Sequence, residues 1–292
     1  MKKIDKARNE LLSRIPPVVA EHVLGHELSK VGQQYKLGES TRLRLKREPR
    51  KVSLKWGASP ILNIKSYKST FDKLELIQAF CNPLSRYYVS HYSALYWNEL
   101  VQQQPKDYYL TREAQARRPV HTNDYDPDRI KQAFLKSPRH TSQFASYRDS
   151  KIYLIEKQGL SEMGVTTKTI EIQKTPISLR LTNIERTLID SVISPFYSGG
   201  ILTVIAAFDK AKINIRDLYN IYEKYSLFYP YWQAIGFILE NVKGRELAED
   251  WKSFFDMNKS SAFYLDRQFR SDWLYSEPWK LYYPRGVFHD SH

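Results

Sequence analysis

The 292-residue chain has one cysteine, Cys81, few glycines and no long apolar run. A single cysteine excludes an internal disulfide and a zinc site made of several cysteines. The 11 glycines form no G-x-x-x-x-G-K phosphate loop, so no nucleotide cofactor is expected. The longest apolar stretch, residues 200–208, is far shorter than the ~20 residues of a membrane-spanning helix. We therefore expect a cytoplasmic protein without a secretory signal, membrane contact or cofactor.

Catalytic motifs are also lacking, including the G-x-S-x-G nucleophile elbow. His22 and His26 have the i, i+4 spacing that can bind zinc. However, the order H-E-x-x-H is absent, and Gly25 weakens a helix between the two histidines. We therefore expect no metal site and no enzyme. One alternative stays open, in which carboxylates distant in sequence form the active site of a nuclease or nucleotide-modifying defence enzyme.

Positive charge is what the sequence has in excess, and it is concentrated near the N-terminus. The whole chain carries 45 Lys and Arg against 32 Asp and Glu, a net charge of +13. Residues 1–56 contain 14 of these cations and 6 of these anions, or +8, and the rest of the chain contributes +5. Such asymmetry favours a polyanionic partner, most often nucleic acid, over a surface whose charges only confer solubility.

The cations of residues 41–56 alternate with apolar residues on both sides of Pro49. This period of two predicts a β-hairpin with one apolar and one cationic face. Two helical patterns precede it, over residues 3–15 and from about residue 18. Helices followed by a basic hairpin are the order of a winged helix, whose recognition helix we expect at residues 28–35. The predicted nucleic-acid contacts are Arg42, Arg44, Lys46, Arg47, Arg50, Lys51 and Lys55.

The rest of the chain mixes helix and strand signals. Alternation predicts strands over residues 87–89, 107–110, 151–156, 167–173 and 177–181. Apolar spacing predicts helices over residues 70–80, 91–100, 128–135, 184–193, 200–211, 215–225, 231–240 and 246–255. Thr182 and Glu185 match a capping box at the start of one of these helices. The end of the chain, from residue 263, is rich in aromatic residues and is expected to be irregular.

These signals predict an α+β protein of two domains. A winged-helix-like DNA-binding domain is expected over residues 1–75. A mixed α+β domain that ends in a helical bundle is expected over residues 76–292. The aromatic end of the chain either covers the core of this second domain or docks a partner protein, which would make the chain an adaptor.

Three segments, taken together, resemble a known family. They are YVSHYSALYW at residues 88–97, LRLTNIERTLID at 179–190, and PFYSGG at 195–200 running into AAFDKA at 206–211. Over roughly residues 80–245 the chain resembles the AbiEi family, the antitoxins of type IV toxin–antitoxin systems linked to abortive infection. The motif residues are Ser90, His91, Tyr92, Glu185, Arg186, Asp190, Gly199 and Gly200.

The resemblance implies a DNA-binding winged helix followed by a larger domain with antitoxin activity in phage defence. Such proteins repress transcription of their own operon by binding inverted repeats of double-stranded DNA in its promoter. They counter a toxin that is similar to nucleotidyltransferases, and the sequence leaves open whether that toxin is bound directly. The motifs carry no catalytic signature. Arg186 and Asp190 can pair at i, i+4, so a structural role is weighed against contact of Arg186 with a partner or nucleic acid.

Overall fold

The structure is a computed structural model that describes residues 2–58, 60–114, 127–158, 161–172, 175–225, 227, 229–256, 261–267 and 272–288. Within these residues the chain forms eleven α-helices and three β-sheets. This confirms the predicted α+β class. No helix in the described part of the chain combines the length and the apolar character that crossing a membrane requires.

The N-terminal elements form a helical layer and a small sheet. In chain order they are α1 (Lys3–Arg14), β1 (Val18–Ala20), α2 (Glu21–Gln34), α3 (Glu39–Arg47), β2 (Arg50–Val52), β3 (Lys55–Trp56) and β4 (Ile64–Ser66). Strand β4 lies between β1 and β2 and is antiparallel to both. Helix α2 packs against α1 and α3, so the three helices share one apolar core with the small sheet.

The predicted hairpin over residues 41–56 is wrong, because most of its first half is helix α3. Arg, Lys and Leu are all good helix formers, and residues 42–47 contain no β-branched residue that would favour a strand. The two leucines do not share a face, since Leu45 is buried whereas Leu43 is 45% exposed. After Pro49 the chain is extended, and β2 pairs with β4.

Residues 18–20, predicted as the start of the second helix, form β1 instead. Val18 and Val19 are β-branched, and both are buried in pairs with β4. Helix α2 begins at Glu21 and continues through Gly25, where no turn occurs. Residues 28–34, within the predicted recognition helix, are therefore the C-terminal part of α2, and the separate helix that follows is α3.

A seven-stranded mixed sheet occupies the middle of the chain. Its further strands are β5 (Tyr87–Val89), β6 (Tyr108–Ala114), β7 (Phe144–Tyr147), β8 (Ser150–Gln158), β9 (Val165–Ile172) and β10 (Thr175–Thr182). The order is β3-β7-β8-β6-β5-β10-β9, so β3 of the N-terminal part forms one edge. There the amide of Gly57 donates to the carbonyl of Phe144 at 2.9 Å. The chain between β2 and β4 is thus fixed to the central sheet.

Three helices lie between these strands in chain order: α4 (Lys73–Cys81), α5 (His91–Trp97) and α6 (Pro127–Leu135), of which α6 packs against the C-terminal part. Helix α4 packs against both β1 and β10. One apolar cluster consequently extends from α1 to β10. The predicted boundary between residues 75 and 76 falls inside α4, and the division into two domains stays a prediction.

The C-terminal part is a group of helices followed by a small sheet. Its elements are α7 (Ile184–Ile193), α8 (Ile201–Lys210), α9 (Ile215–Lys224), α10 (Tyr231–Lys243), α11 (Arg245–Lys252), β11 (Phe263–Tyr264), β12 (Trp273–Ser276) and β13 (Leu281–Pro284). The aromatic end, expected to be irregular, therefore contains a sheet of order β11-β13-β12. Trp279 is buried, and its Nε1 donates to Glu240 at 2.6 Å. This end of the chain covers the chain's own core.

Candidate functional site

The seven cations predicted to bind nucleic acid lie on α3 and on the two strands that follow it. Five of them are exposed and are called the basic surface below: Arg44, Arg47, Arg50, Lys51 and Lys55. Within the described residues no hydrogen bond or ion pair occupies the side chains of Arg44, Arg47, Lys51 and Lys55. Arg50 donates to the carbonyls of Lys68 and Ser69 and remains exposed.

The other two predicted cations, Arg42 and Lys46, are half-buried and face α2. A Cβ on Gly32 would lie 2.6 Å from Cδ of Arg42, so the arginine stem packs directly on the glycine backbone. The Nε of Arg42 is buried and makes no hydrogen bond within the described residues. Lys46 Nζ lies 3.8 Å from a carboxylate oxygen of Glu21. Both side chains therefore help to hold α3 against α2.

One further cation was missed by the sequence analysis. Lys65 on β4 lies directly opposite Lys51 on β2 in the antiparallel register. Side chains that are directly opposite each other share a face of the sheet, and like charges there repel. Alternation in this short segment was too brief to predict β4, so Lys65 could not be placed beside the basic surface from sequence.

Two of the motif residues, Arg186 and Asp190, belong to a second site, which is buried. Its core is the buried network of Tyr88, Glu113, Lys157, Arg186, Asp190 and Tyr225. The side chains of Arg186 and Asp190 have no exposed surface, and they pair at 3.3 Å as the i, i+4 spacing predicts. The Arg186 guanidinium also donates to the carbonyl of Met163 at 2.8 Å and to the hydroxyl of Tyr88 at 2.9 Å.

Asp190 is the acceptor for several groups of this network. Lys157 donates to it at 2.9 Å, and the hydroxyl of Tyr225 also donates to it. Burial alone would raise the pKa of Asp190, but the charges of Arg186 and Lys157 outweigh it and hold this pKa well below its usual range. Burial lowers the pKa of Lys157, and Asp190 opposes that shift. Two cations therefore pair with two carboxylates, Asp190 and Glu113. Breaking such a buried set is destabilising, so these residues hold α7 on the sheet and are not free to bind a ligand.

Motif residues of the first and third segments lie against each other. The Nδ1 of His91 is hydrogen-bonded to the hydroxyl of Ser90 at 2.9 Å, and burial lowers the pKa of this imidazole well below its ordinary value. The ring of Tyr92 lies where a Cβ on Gly199 would be 3.1 Å away. Gly199 and Gly200 both have positive φ, of 84° and 89°, which a residue with a side chain rarely adopts.

The predicted capping box at the start of α7 is wrong. Thr182 is the last residue of β10, and its hydroxyl pairs with that of Thr187 at 2.7 Å. The N-cap is Asn183, whose side chain accepts from the amide of Arg186 at 2.9 Å. Glu185 instead accepts from the amide of Asn214 at 3.1 Å. The motif therefore connects α7 to the start of α9.

Much of the buried network could not be found from sequence. Glu113, Lys157 and Tyr225 lie far from the motif in sequence, and no local pattern marks them as partners of Arg186 and Asp190. Among the described residues, no group of three or more His, Cys, Asp or Glu side chains is arranged to hold a metal ion. Cys81 is buried, and burial raises the pKa of its thiol.

Comparison with known proteins gives a structural match without a sequence family. No family model matches the chain. No curated protein matches it. Among solved structures, the chain is similar to the crystal structure of the RV2827C protein from Mycobacterium tuberculosis, with 12% sequence identity and a TM-score of 0.52. The match covers 96% of this chain and 91% of that chain, so another protein has a similar fold over nearly its whole length.

Proposed function

We propose that this chain is a DNA-binding antitoxin of a type IV toxin–antitoxin system and represses its own operon. In this proposal residues 1–75 are a winged helix. The order α1-β1-α2-α3-β2-β3-β4, with β4 paired between β1 and β2, supports that assignment. Helix α3 is then the recognition helix, which enters the major groove. The chain between β2 and β4 takes the position of the wing, and its strand β3 is paired with β7 of the central sheet. This replaces the recognition helix expected at residues 28–35.

The observation that carries the DNA-binding part is the exposure of cations on α3. Arg44 and Arg47 extend into solvent without a partner among the described residues, while Arg42 and Lys46 attach the helix to α2. An α-helix fits the major groove, and arginines on it reach phosphates and base edges. Lys51 and Lys65 repel each other across β2 and β4, and a phosphate between them would relieve that repulsion.

The antitoxin part rests on the resemblance of the three motif segments. His91 lies against Tyr197, and Tyr92 lies against Gly199, so residues of two of these segments are in contact. Since Arg186 and Asp190 are buried, we infer that the motifs maintain the shape of the part that counters the toxin. The partners are then double-stranded promoter DNA and a nucleotidyltransferase-like toxin, and direct contact with the toxin stays open.

Fluorescence anisotropy with a duplex from the promoter of the chain's own gene tests DNA binding. Each phosphate contact contributes about 0.9 to the slope of log K against log[salt]. The double variant Arg44→Ala with Arg47→Ala is therefore expected to reduce that slope by about 2. The matched control is Lys212→Ala with Lys224→Ala, which removes two exposed cations elsewhere and should leave the slope unchanged. An unchanged slope in the arginine variant, or no binding by the wild type, would contradict the proposal.

A further inference from the structure

Leu43 is an exposed apolar residue of α3, and phosphate binding gives it no role. Its side chain is 45% exposed, although its neighbours in sequence are Arg42 and Arg44. Leu45 of the same helix is 1% exposed and anchors the opposite face. Successive residues of an α-helix are separated by about 100°, so positions 43 and 45 lie on opposite sides. Leu43 therefore lies on the side of α3 opposite Leu45, where part of it is open to solvent and the rest lines a groove with Gly25 and Leu28 of α2.

The outward face of α3 combines Leu43 with two polar neighbours. Ser40 and Arg47 lie three residues before it and four residues after it, on the same side of the helix, and both are exposed. Toward α2, Arg42 packs on Gly32 and Lys46 approaches Glu21. The cations of α3 thus divide into two that hold the helix and two, Arg44 and Arg47, that flank an exposed leucine.

We propose that Leu43 is a specificity-determining residue that contacts the 5-methyl group of a thymine. This inference rests on the proposed function, since it requires α3 to enter the major groove. The thymine methyl is the apolar group that the base edges present in that groove. The flanking arginines would hold Leu43 at this methyl group. The contact would remove both the methyl group and the exposed surface of Leu43 from water. The preferred site should therefore contain a thymine wherever α3 enters the groove.

Deoxyuridine substitution tests this contact directly. The preferred duplex is first selected from a random library with the full-length chain. Each thymine is then replaced in turn by deoxyuridine, which removes the methyl group and preserves base pairing. For the wild type, one position per bound α3 is expected to weaken binding by about fourfold, the effect of one buried methyl group. The Leu43→Ala variant should bind the thymine duplex and the deoxyuridine duplexes with equal affinity, measured at a salt concentration where the variant still binds.

A control and two contrary outcomes complete the test. Leu202→Ala removes another exposed leucine, 57% exposed on α8, and should retain the wild-type response to deoxyuridine. Equal binding of all the deoxyuridine duplexes by the wild type would overturn the inference while leaving DNA binding intact. The same would follow if Leu43→Ala kept the fourfold effect. Failure of the wild type to bind any duplex would instead overturn the proposed function, and the inference with it.

Discussion

At the scale of single residues, Asp190 is the group on which the buried network depends. It accepts from Lys157, Arg186 and Tyr225 and has no exposed side-chain surface. Asp190→Asn would leave two buried cations facing a neutral amide. Because removal of one partner leaves an uncompensated buried charge, we expect the free energy of unfolding to fall by about 3–5 kcal/mol. Urea unfolding followed by tryptophan fluorescence measures this loss.

An exposed ion pair supplies the control for that measurement. Glu249 lies 4.0 Å from Lys252 and is half exposed, so Glu249→Gln should cost less than about 1 kcal/mol. Adding Lys157→Met to Asp190→Asn removes the uncompensated ammonium and should recover part of the stability. If Asp190→Asn costs no more than Glu249→Gln, the network does not hold α7 to the central sheet.

The pH dependence of stability follows from the same carboxyl. The charges of Arg186 and Lys157 outweigh burial and depress the pKa of Asp190 in the folded chain. The unfolded chain has the ordinary value of about 3.9, so the stabilisation is complete above that pH and is lost as pH falls. The difference in unfolding free energy between wild type and Asp190→Asn should therefore shrink from about pH 5 to pH 2. Urea midpoints at stepped pH test this, and a constant difference would contradict it.

At the scale of elements, a helix or strand can be predicted from sequence where its local signals are sufficient. Helix α7 begins and ends at the predicted residues, 184 and 193, although its cap is Asn183 and not Thr182. Helix α3 was predicted as a strand because Leu43 and Leu45 alternate with cations. Which leucine is buried is decided by packing against α2, and no pattern within residues 39–47 contains that contact.

Two helical glycines allow a matched test of packing between elements. A Cβ on Gly236 of α10 would lie 2.1 Å from the ring of Trp279, a rigid neighbour that is itself buried. A Cβ on Gly25 of α2 would meet nothing within 4 Å. We therefore expect Gly236→Ala to destabilise the chain by about 1–3 kcal/mol through overpacking. Gly25→Ala should instead stabilise it by up to about 1 kcal/mol through helix propensity.

Thermal unfolding of both glycine variants, followed by circular dichroism, distinguishes these effects. The expected signs are opposite, so a general effect of alanine on helices cannot produce both. If the Gly236→Ala variant were more stable than the wild type, the turn before β13 would not pack Trp279 tightly against α10.

At the scale of the whole molecule, two apolar cores are joined by a polar layer. One core extends from α1 to the central sheet, and the other lies among the C-terminal helices and the terminal sheet. The buried network spans them, since Arg186 and Asp190 on α7 bind Tyr88 and Lys157 on strands of the sheet. Arg186 and Tyr88 are 98 positions apart. Composition and periodicity predicted the α+β class, but they contain no information about such a long-range contact.

This arrangement separates the basic surface from the motif segments and so predicts that the two proposed activities can be uncoupled. The basic surface lies on α3, β2 and β3, whereas the motif residues lie on α5, on α7 and at the start of α8. The double variant Arg44→Ala with Arg47→Ala is thus expected to lose repression of a reporter under the chain's own promoter. It should still protect cells that also express a nucleotidyltransferase-like toxin of the proposed operon, as measured by growth.

Asp190→Asn provides the opposite comparison, because its loss of stability should weaken repression and protection together. If the arginine variant is folded and yet fails to protect, then protection requires promoter binding and the activities are not separable. If the wild type gives no protection, the antitoxin proposal itself is wrong. Repression without protection would leave a DNA-binding repressor whose motif segments act only to maintain the contact between the sheet and α7.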